Sequence, residues 1–151
     1  MRKRYILIHD ICLEKQICGQ IFISKSQELI GTYEFHVINE DFMAAINIFP
    51  DFQNKGIGFF VFKSCYEELN VNNNLKKFIV SWNVDKEYAH LSDEQSINFS
   101  VFLNSIKNGL TEIEALWTAP TGKWLNKLGF TSGRILKRDN DKLTAIFTKG
   151  F

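Results

Sequence analysis

The sequence predicts an α+β fold: a mixed central sheet of about seven strands, flanked by helices, with the fourth and fifth strands parallel. Three observations carry this. The N-terminal half is a run of short apolar segments joined by polar turns, which reads as a meander of four strands. A strand, a glycine-bearing turn, a helix and another strand then follow within Phe42 to Val84, the length of a right-handed crossover between parallel neighbours. The chain finishes on two apolar runs around Asp139-Asn140-Asp141, a hairpin signal.

Arg4 to Leu13, rich in Ile and Tyr, reads as the first strand, and Ile17 to Ser24 as the second, with Glu14-Lys15-Gln16 between them. Ile30 to Ile38 is the third strand and Phe42 to Phe49 the fourth, separated by Asn39-Glu40-Asp41. Apolar residues at Phe59, Phe62, Cys65, Tyr66 and Leu69 recur at helical spacing and predict a helix over Phe59 to Leu69. The asparagine-rich stretch Asn70 to Asn74 predicts its stop and the loop after it. Lys77 to Val84 is the fifth strand. Ser92-x-x-Gln95 and Thr111-x-x-Glu114 both fit the capping box that opens a helix, with Gly109 closing the first helix and Pro120 the second. Thr121 is placed to cap a short helix, Gly122 to Leu128, that Gly129 ends. Phe130 to Arg138 and Lys142 to Lys149 form the last hairpin.

With 151 residues and no repeat or Pro/Ser-rich linker, a single domain is the expectation. The 14 phenylalanines supply enough apolar bulk for one large core without staples. A net charge of +1 argues against a dedicated nucleic-acid binder, and the Met1-Arg2-Lys3-Arg4 start reads as a solvated terminus. Cys12, Cys18 and Cys65 are odd in number and lack a framework spacing, so a reducing, cytoplasmic setting is expected. Cys12 and Cys18 have no zinc-knuckle spacing and no His pair beside them, so no metal is expected. No apolar run approaches the roughly 20 residues of a membrane span, and none has the layout of a secretory signal.

The chemistry-bearing feature is the turn after the fourth strand, Gln53-Asn54-Lys55-Gly56-Ile57-Gly58. Two glycines between a strand and a helix let the chain bend closely, and the first N–H groups of the helix face outward, ready for an anion. The helix dipole and Lys55 add positive charge there. The turn is not a dinucleotide G-x-G-x-x-G, because Val61 stands where the third glycine belongs. Nor is there a Walker loop: Trp124 follows the Gly122-Lys123 pair, and Trp117 stands where its first glycine belongs. What remains, Pro50-x-x-Gln53-x-x-Gly56-x-Gly58, resembles the pyrophosphate loop [QR]-x-x-G-x-[GA] of the GNAT superfamily of acyl-CoA-dependent N-acyltransferases. Trp124 to Phe130 ("WLNKLGF") is similar to the ending many members carry after the fifth strand.

The resemblance implies one GNAT-like domain over 1–151, with fourth and fifth strands that splay apart and a helical insertion at about 85–118. It has no room for the family's usual helices between the first two strands. It implies acetyl-CoA, or another acyl-CoA, as donor. Main-chain groups at Asn47, Ile48 and Phe49 would hold the pantetheine as an added strand, one N–H near Ile48 polarising the thioester. The N–H groups of Lys55, Gly56, Ile57, Gly58 and Phe59 would take the pyrophosphate, with the side chains of Gln53, Asn54 and Lys55 nearby. The acceptor would be an amine of a small molecule, peptide or protein, and the insertion would shape its site. Neither a nucleic acid nor a membrane is an expected partner, and monomer and homodimer both stay open.

The catalytic groups do not follow the family pattern. Leu125 stands where many members have the Tyr that protonates the leaving thiolate, and the Glu base of the fourth strand is missing from Phe42-Met43-Ala44-Ala45. Tyr88, Ser81 and Tyr33 are the candidate donors. On the third strand Thr32, Glu34 and His36 share one face and Tyr33, Phe35 and Val37 the other. Glu34 beside His36 could draw a proton from an amine through water, or the face is simply the wet side of a half-exposed strand. His9 and His90 read as isolated. The missing acid and base leave a second reading open, a CoA-binding sensor or interaction module without catalysis. A domain that binds no cofactor is a third.

Overall fold

The computed structural model describes residues 4–83 and 97–149. The strand order is β1-β2-β3-β4-β5-β7-β6, a seven-stranded mixed sheet with β4 and β5 parallel, as predicted. The chain divides into two compact units, one ending at Leu75 and one starting at Lys76.

The first unit is the meander and its helix. β1 (Tyr5–Leu13), β2 (Gln16–Ile23), β3 (Leu29–Ile38) and β4 (Asp41–Ile48) are antiparallel neighbours. β1 turns straight into β2 through Glu14-Lys15, with no helix between them. α1 (Ile57–Asn73) covers one face of the sheet. Tyr33, Phe35, Val37 and Phe42 meet Ile57, Val61, Phe62, Cys65, Tyr66 and Leu69 there, and all are buried. The rings form a chain of contacts: Phe35 stacks on Phe42 at 5.6 Å, and Phe62 and Tyr66 lie 5.9 and 5.7 Å from Phe42. Val61, not Phe59, completes the buried stripe of α1, because the helix begins at Ile57 and Phe59 turns only half inward.

α1 also runs one turn beyond its expected end. The asparagines do stop it, but as caps rather than as a loop. Asn74 adopts the left-handed conformation at φ 47°, the Asn70 side chain accepts from Leu75 N–H at 2.6 Å, and Asn73 donates to the carbonyls of Leu69 and Glu14. The last bond, 2.7 Å long, ties the end of α1 to the β1–β2 turn.

The second unit holds β5 (Lys77–Asn83), α2 (Ile97–Lys107), α3 (Glu112–Thr118), α4 (Pro120–Lys127), β6 (Phe130–Arg138) and β7 (Lys142–Lys149). β7 lies between β5 and β6, antiparallel to both, and the final hairpin has the predicted bounds. Trp82 of β5 is buried against Phe102 of α2, and Trp117 of α3 meets Phe147 of β7 edge-on at 5.0 Å. The Ser92 capping box lies outside the described residues. α4 starts two residues early because Pro120 occupies its first turn with φ already suited to a helix. Thr121 is therefore not its cap; it is buried, and its N–H donates to the Asn98 side chain at 2.9 Å.

The Thr111 capping box forms as read. Thr111 Oγ1 accepts from Glu114 N–H at 3.2 Å, and Glu114 Oε1 accepts from Thr111 N–H at 3.0 Å. These bonds hold the Glu114 carboxyl below its usual value, so their stabilisation is complete above the unfolded carboxyl's pKa and fades as pH falls through the folded one. Thr111→Ala is expected to cost about 1 kcal/mol at neutral pH, with part of the difference lost in acid. Urea melts of both proteins at pH 7 and pH 3 would measure it.

Candidate functional site

The turn after β4 is built by left-handed residues. Pro50–Phe52 makes one short 3₁₀ turn, then Asn54 (φ 62°) and Gly56 (φ 81°) reverse the chain, and Gly56 is the N-cap of α1. A side chain at Asn54 tolerates this region; at position 56 glycine suits it best. No atom lies within 4 Å of where a Gly56 Cβ would sit, so the turn opens outward there. Ile57, 1% exposed, anchors the first turn of α1 in the core while its N–H stays at the helix end. No side chain caps that end. Lys55 is exposed, its ammonium 5.8 Å from the centre of the Phe52 ring.

Three expected contacts need correction. Phe49 N–H is not unpaired, since it donates to Ile30 O at 2.9 Å. By antiparallel alternation Asn47 also points its main-chain groups toward β3, leaving Ile48 as the residue whose groups point away. The Gln53 side chain does not reach outward either. It donates to Ile48 O at 2.9 Å and braces the turn against the strand it leaves.

The face of the first unit opposite α1 carries Thr32, Glu34 and His36, as the alternation predicts. His36 Nε2 and Glu34 Oε1 are 2.6 Å apart, with side chains 33% and 51% exposed, which suits a pair that water can reach. Asn47 lies on the same face opposite Thr32, so Glu34 is one strand repeat, about 7 Å, from the end of β4. Cys18, opposite Glu34 on β2, joins the pair: its sulfur, a His36 nitrogen and a Glu34 oxygen lie within 4.8 Å of one another.

Of the candidate donors, Tyr88 lies outside the described residues. Tyr33 is excluded from the open face. It is buried on the α1 side, its hydroxyl is 2.8 Å from His9 Nδ1, and burial, followed by nearby Cys65 and Asp10, pushes its pKa well above the ordinary phenol value. Ser81 is exposed on β5, and Leu125 is wholly buried in α4.

His9 is not isolated. Besides Tyr33 it meets Glu68 of α1, Nε2 to Oε2 at 3.1 Å, and Cys12 Sγ lies 3.4 Å from Glu68 Oε1. The Cys12 thiol is raised by desolvation and then by Glu68, and Cys65, buried nearby, is pushed up to about 12, mainly by burial. Sequence spacing could not reveal this group, because Glu68 is more than 50 residues from its partners. Cys18 is hidden in the sequence for a like reason, since only the β2–β3 register places it opposite Glu34.

No family model matches the chain, and no curated protein does. Solved structures do. The PaiA N-acetyltransferase of Thermoplasma acidophilum in complex with coenzyme A is 10% identical, with a TM-score of 0.50 over 89% of this chain and 61% of that one. A GNAT-family acetyltransferase of Streptococcus pneumoniae gives 12% and 0.46 over 91% and 69%, and a spermidine N-acetyltransferase of Vibrio cholerae 14% and 0.49 over 89% and 66%. The chain thus spans about two thirds of their length or slightly less. The assignment rests on the first: this chain has the fold of the GNAT N-acetyltransferases. No helix among the described residues is long and apolar enough to cross a membrane.

Proposed function

We propose that the chain is a single-domain acyl-CoA-dependent N-acyltransferase, with acetyl-CoA the expected donor and an amine the acceptor. The observation that carries this is the open turn at Gly56, set on the uncapped N-terminus of a 17-residue helix directly after β4. Main-chain N–H groups of Gly56, Ile57 and Gly58, with the Lys55 ammonium, make a site for a diphosphate. Ile48 offers its N–H beside the thioester. Gln53 supports the turn rather than the ligand.

The reaction is direct transfer. The acceptor nitrogen forms a bond to the acyl carbon, the carbon–sulfur bond breaks, and the ammonium proton leaves through water to the His36–Glu34 pair. Glu34 orients the imidazole and stabilises its charged form. The departing thiolate takes its proton from water or from a residue outside those described. Direct transfer needs no metal. The three free cysteines suit a reducing cytoplasm. The PaiA structure was solved with coenzyme A, which supports a CoA thioester as donor.

A second reading, a CoA-binding module without turnover, is favoured by one observation: Tyr33 is buried on the α1 side and Leu125 has no proton to give, so neither supplies the acid. Acetyl-CoA incubated with a panel of di- and polyamines, small peptides and amino acids separates the two. Release of free thiol that depends on the amine supports transfer, with His36→Gln expected to lower kcat at least about 100-fold. CoA binding with no thiol released by any amine would leave the module reading standing.

A further inference from the structure

The face of β1 that meets α1 carries a group with no part in acyl transfer. His9 and Cys12 are three residues apart, and on a regular strand an odd separation puts two side chains on opposite faces. Here they share one. The β1–β2 register slips between His9 and Ile11, so that His9 pairs with Gly19 while Cys12 pairs with Ile17, both on the α1 side. A bulge of this kind re-aims side chains, and bulges concentrate at functional sites. Glu68 comes to the pair from α1 and contacts both, one carboxylate oxygen each.

We propose that His9, Cys12 and Glu68 bind a divalent cation of the zinc class through Nε2, Sγ and the carboxylate. The donor set is one imidazole, one thiol and one carboxylate, the three ligand types zinc accepts. The spacing fits. Bonds of about 2.0–2.3 Å in a tetrahedron place neighbouring donors roughly 3.3–3.5 Å apart. The distances are 3.1 Å from Nε2 to Oε2 and 3.4 Å from Sγ to Oε1, and all three ligand atoms lie within 4.8 Å of one another.

The support behind the ligands is of the kind metal sites carry. Tyr33 Oη lies 2.8 Å from His9 Nδ1 and, as acceptor from an Nδ1–H, leaves the Nε2 lone pair free for the ion. Tyr33 can stand there only because residue 19 is glycine. A Cβ on Gly19 would come within 2.4 Å of the Tyr33 hydroxyl and would collide with Ile8 O as well. The Asn73 bond to Glu14 O fixes α1 to the hairpin and so fixes Glu68 against β1. Cys12 and Glu68 also line an open hollow of about 390 Å³, walled in addition by Ile17, Leu69 and Asn72, through which water reaches their side of the group. Three protein ligands with one open position is the arrangement of zinc sites that exchange a small ligand. Binding releases the Cys12 thiol proton to solvent.

The test is titration of the chelator-stripped full chain with Zn²⁺ by calorimetry and with Co²⁺ by absorption. One ion per chain and a thiolate-to-cobalt charge-transfer band are expected. Cys12→Ser should remove the band, and His9→Gln and Glu68→Gln should each weaken binding at least about tenfold. Tyr33→Phe, the positioning residue, should weaken it about 10–100-fold without removing the band. Cys18→Ser should change nothing. Absence of binding by the wild-type chain, or affinity that follows Cys18 and His36 instead of Cys12, overturns the assignment. Melting curves of each variant show that a loss of binding is not a loss of fold. CoA plays no part in this test, so its outcome is independent of the acyltransferase reading.

Discussion

Gly56→Leu is expected to remove coenzyme A binding while leaving the chain folded. The two effects separate because of what surrounds this residue. The cost to the fold is backbone strain: a residue with a Cβ at φ 81° loses roughly 1–2 kcal/mol relative to glycine. There is no steric cost on top, since nothing lies within 4 Å of the added Cβ. That same open space is where the diphosphate is proposed to sit, against the first N–H groups of α1. A leucine would fill it and expel the ligand. Affinity should fall at least 100-fold, about 2.7 kcal/mol. Calorimetry with CoA reads the first effect, and a urea melt the second. A Gly56→Leu protein that binds CoA as the wild type does would falsify the cradle, and the acyl-transfer reading with it. Gly56→Ala, with the same strain and a smaller group, is expected to fall between the two.

How legible this molecule was depends on whether a feature is local. Strand alternation and polar turns placed β1 to β7 to within about a residue, because burial on one face writes a period of two directly into the chain. The turn at Gly56 was readable for the same reason. A left-handed backbone at a helix start asks for glycine, and no distant partner is needed to make it. The end of α1 was misplaced because asparagine has two uses. Asn70, Asn73 and Asn74 break a helix in an average context, but here the Asn70 and Asn73 side chains accept and donate at its last turn, and Asn74 closes it with a left-handed backbone. Thr121 was read as a cap because threonine often is one; Pro120 before it sets the helix start instead.

The tertiary features were out of reach. The pairing of His9 with Cys12 on one face depends on a bulge, which no composition signal around Asp10 announces. Glu68 meets them only because α1 lies across β1 and β2. The bracing of the β4 end by Gln53 is similar: its place in the turn is local, but its partner, Ile48 O, is set by how the turn folds back on β4. The open face of the sheet was legible as a polar face, yet only the register shows that Cys18 stands opposite Glu34.

Phe35→Ala is expected to cost about 3–5 kcal/mol. Phe35 is wholly buried at the centre of the first unit's aromatic contacts: 5.6 Å from Phe42, 5.9 Å from Phe62 and 6.3 Å from Tyr33. Truncation removes its transfer energy, leaves a cavity between β3 and α1, and breaks three ring contacts at once, each adding about 0.5–1.5 kcal/mol beyond area in a favourable case. Neighbours cannot easily close the gap, since Phe42 and Phe62 are already held against each other at 5.9 Å. Against a typical total of about 5–15 kcal/mol, such a loss leaves a marginal protein. Urea denaturation measures it, and a cost under about 1.5 kcal/mol would mean that this cluster repacks. Phe35→Leu keeps part of the volume and should cost clearly less. The substitution also probes function, because Glu34 and His36 flank Phe35 on the same strand and point the opposite way. Their 2.6 Å contact lies on the exposed face, and a shift of β3 on the buried face is expected to reach it. On the proposed function, the acyl-transfer rate of Phe35→Leu should fall under conditions where it is still folded, while CoA affinity, which that reading sets at Gly56, stays.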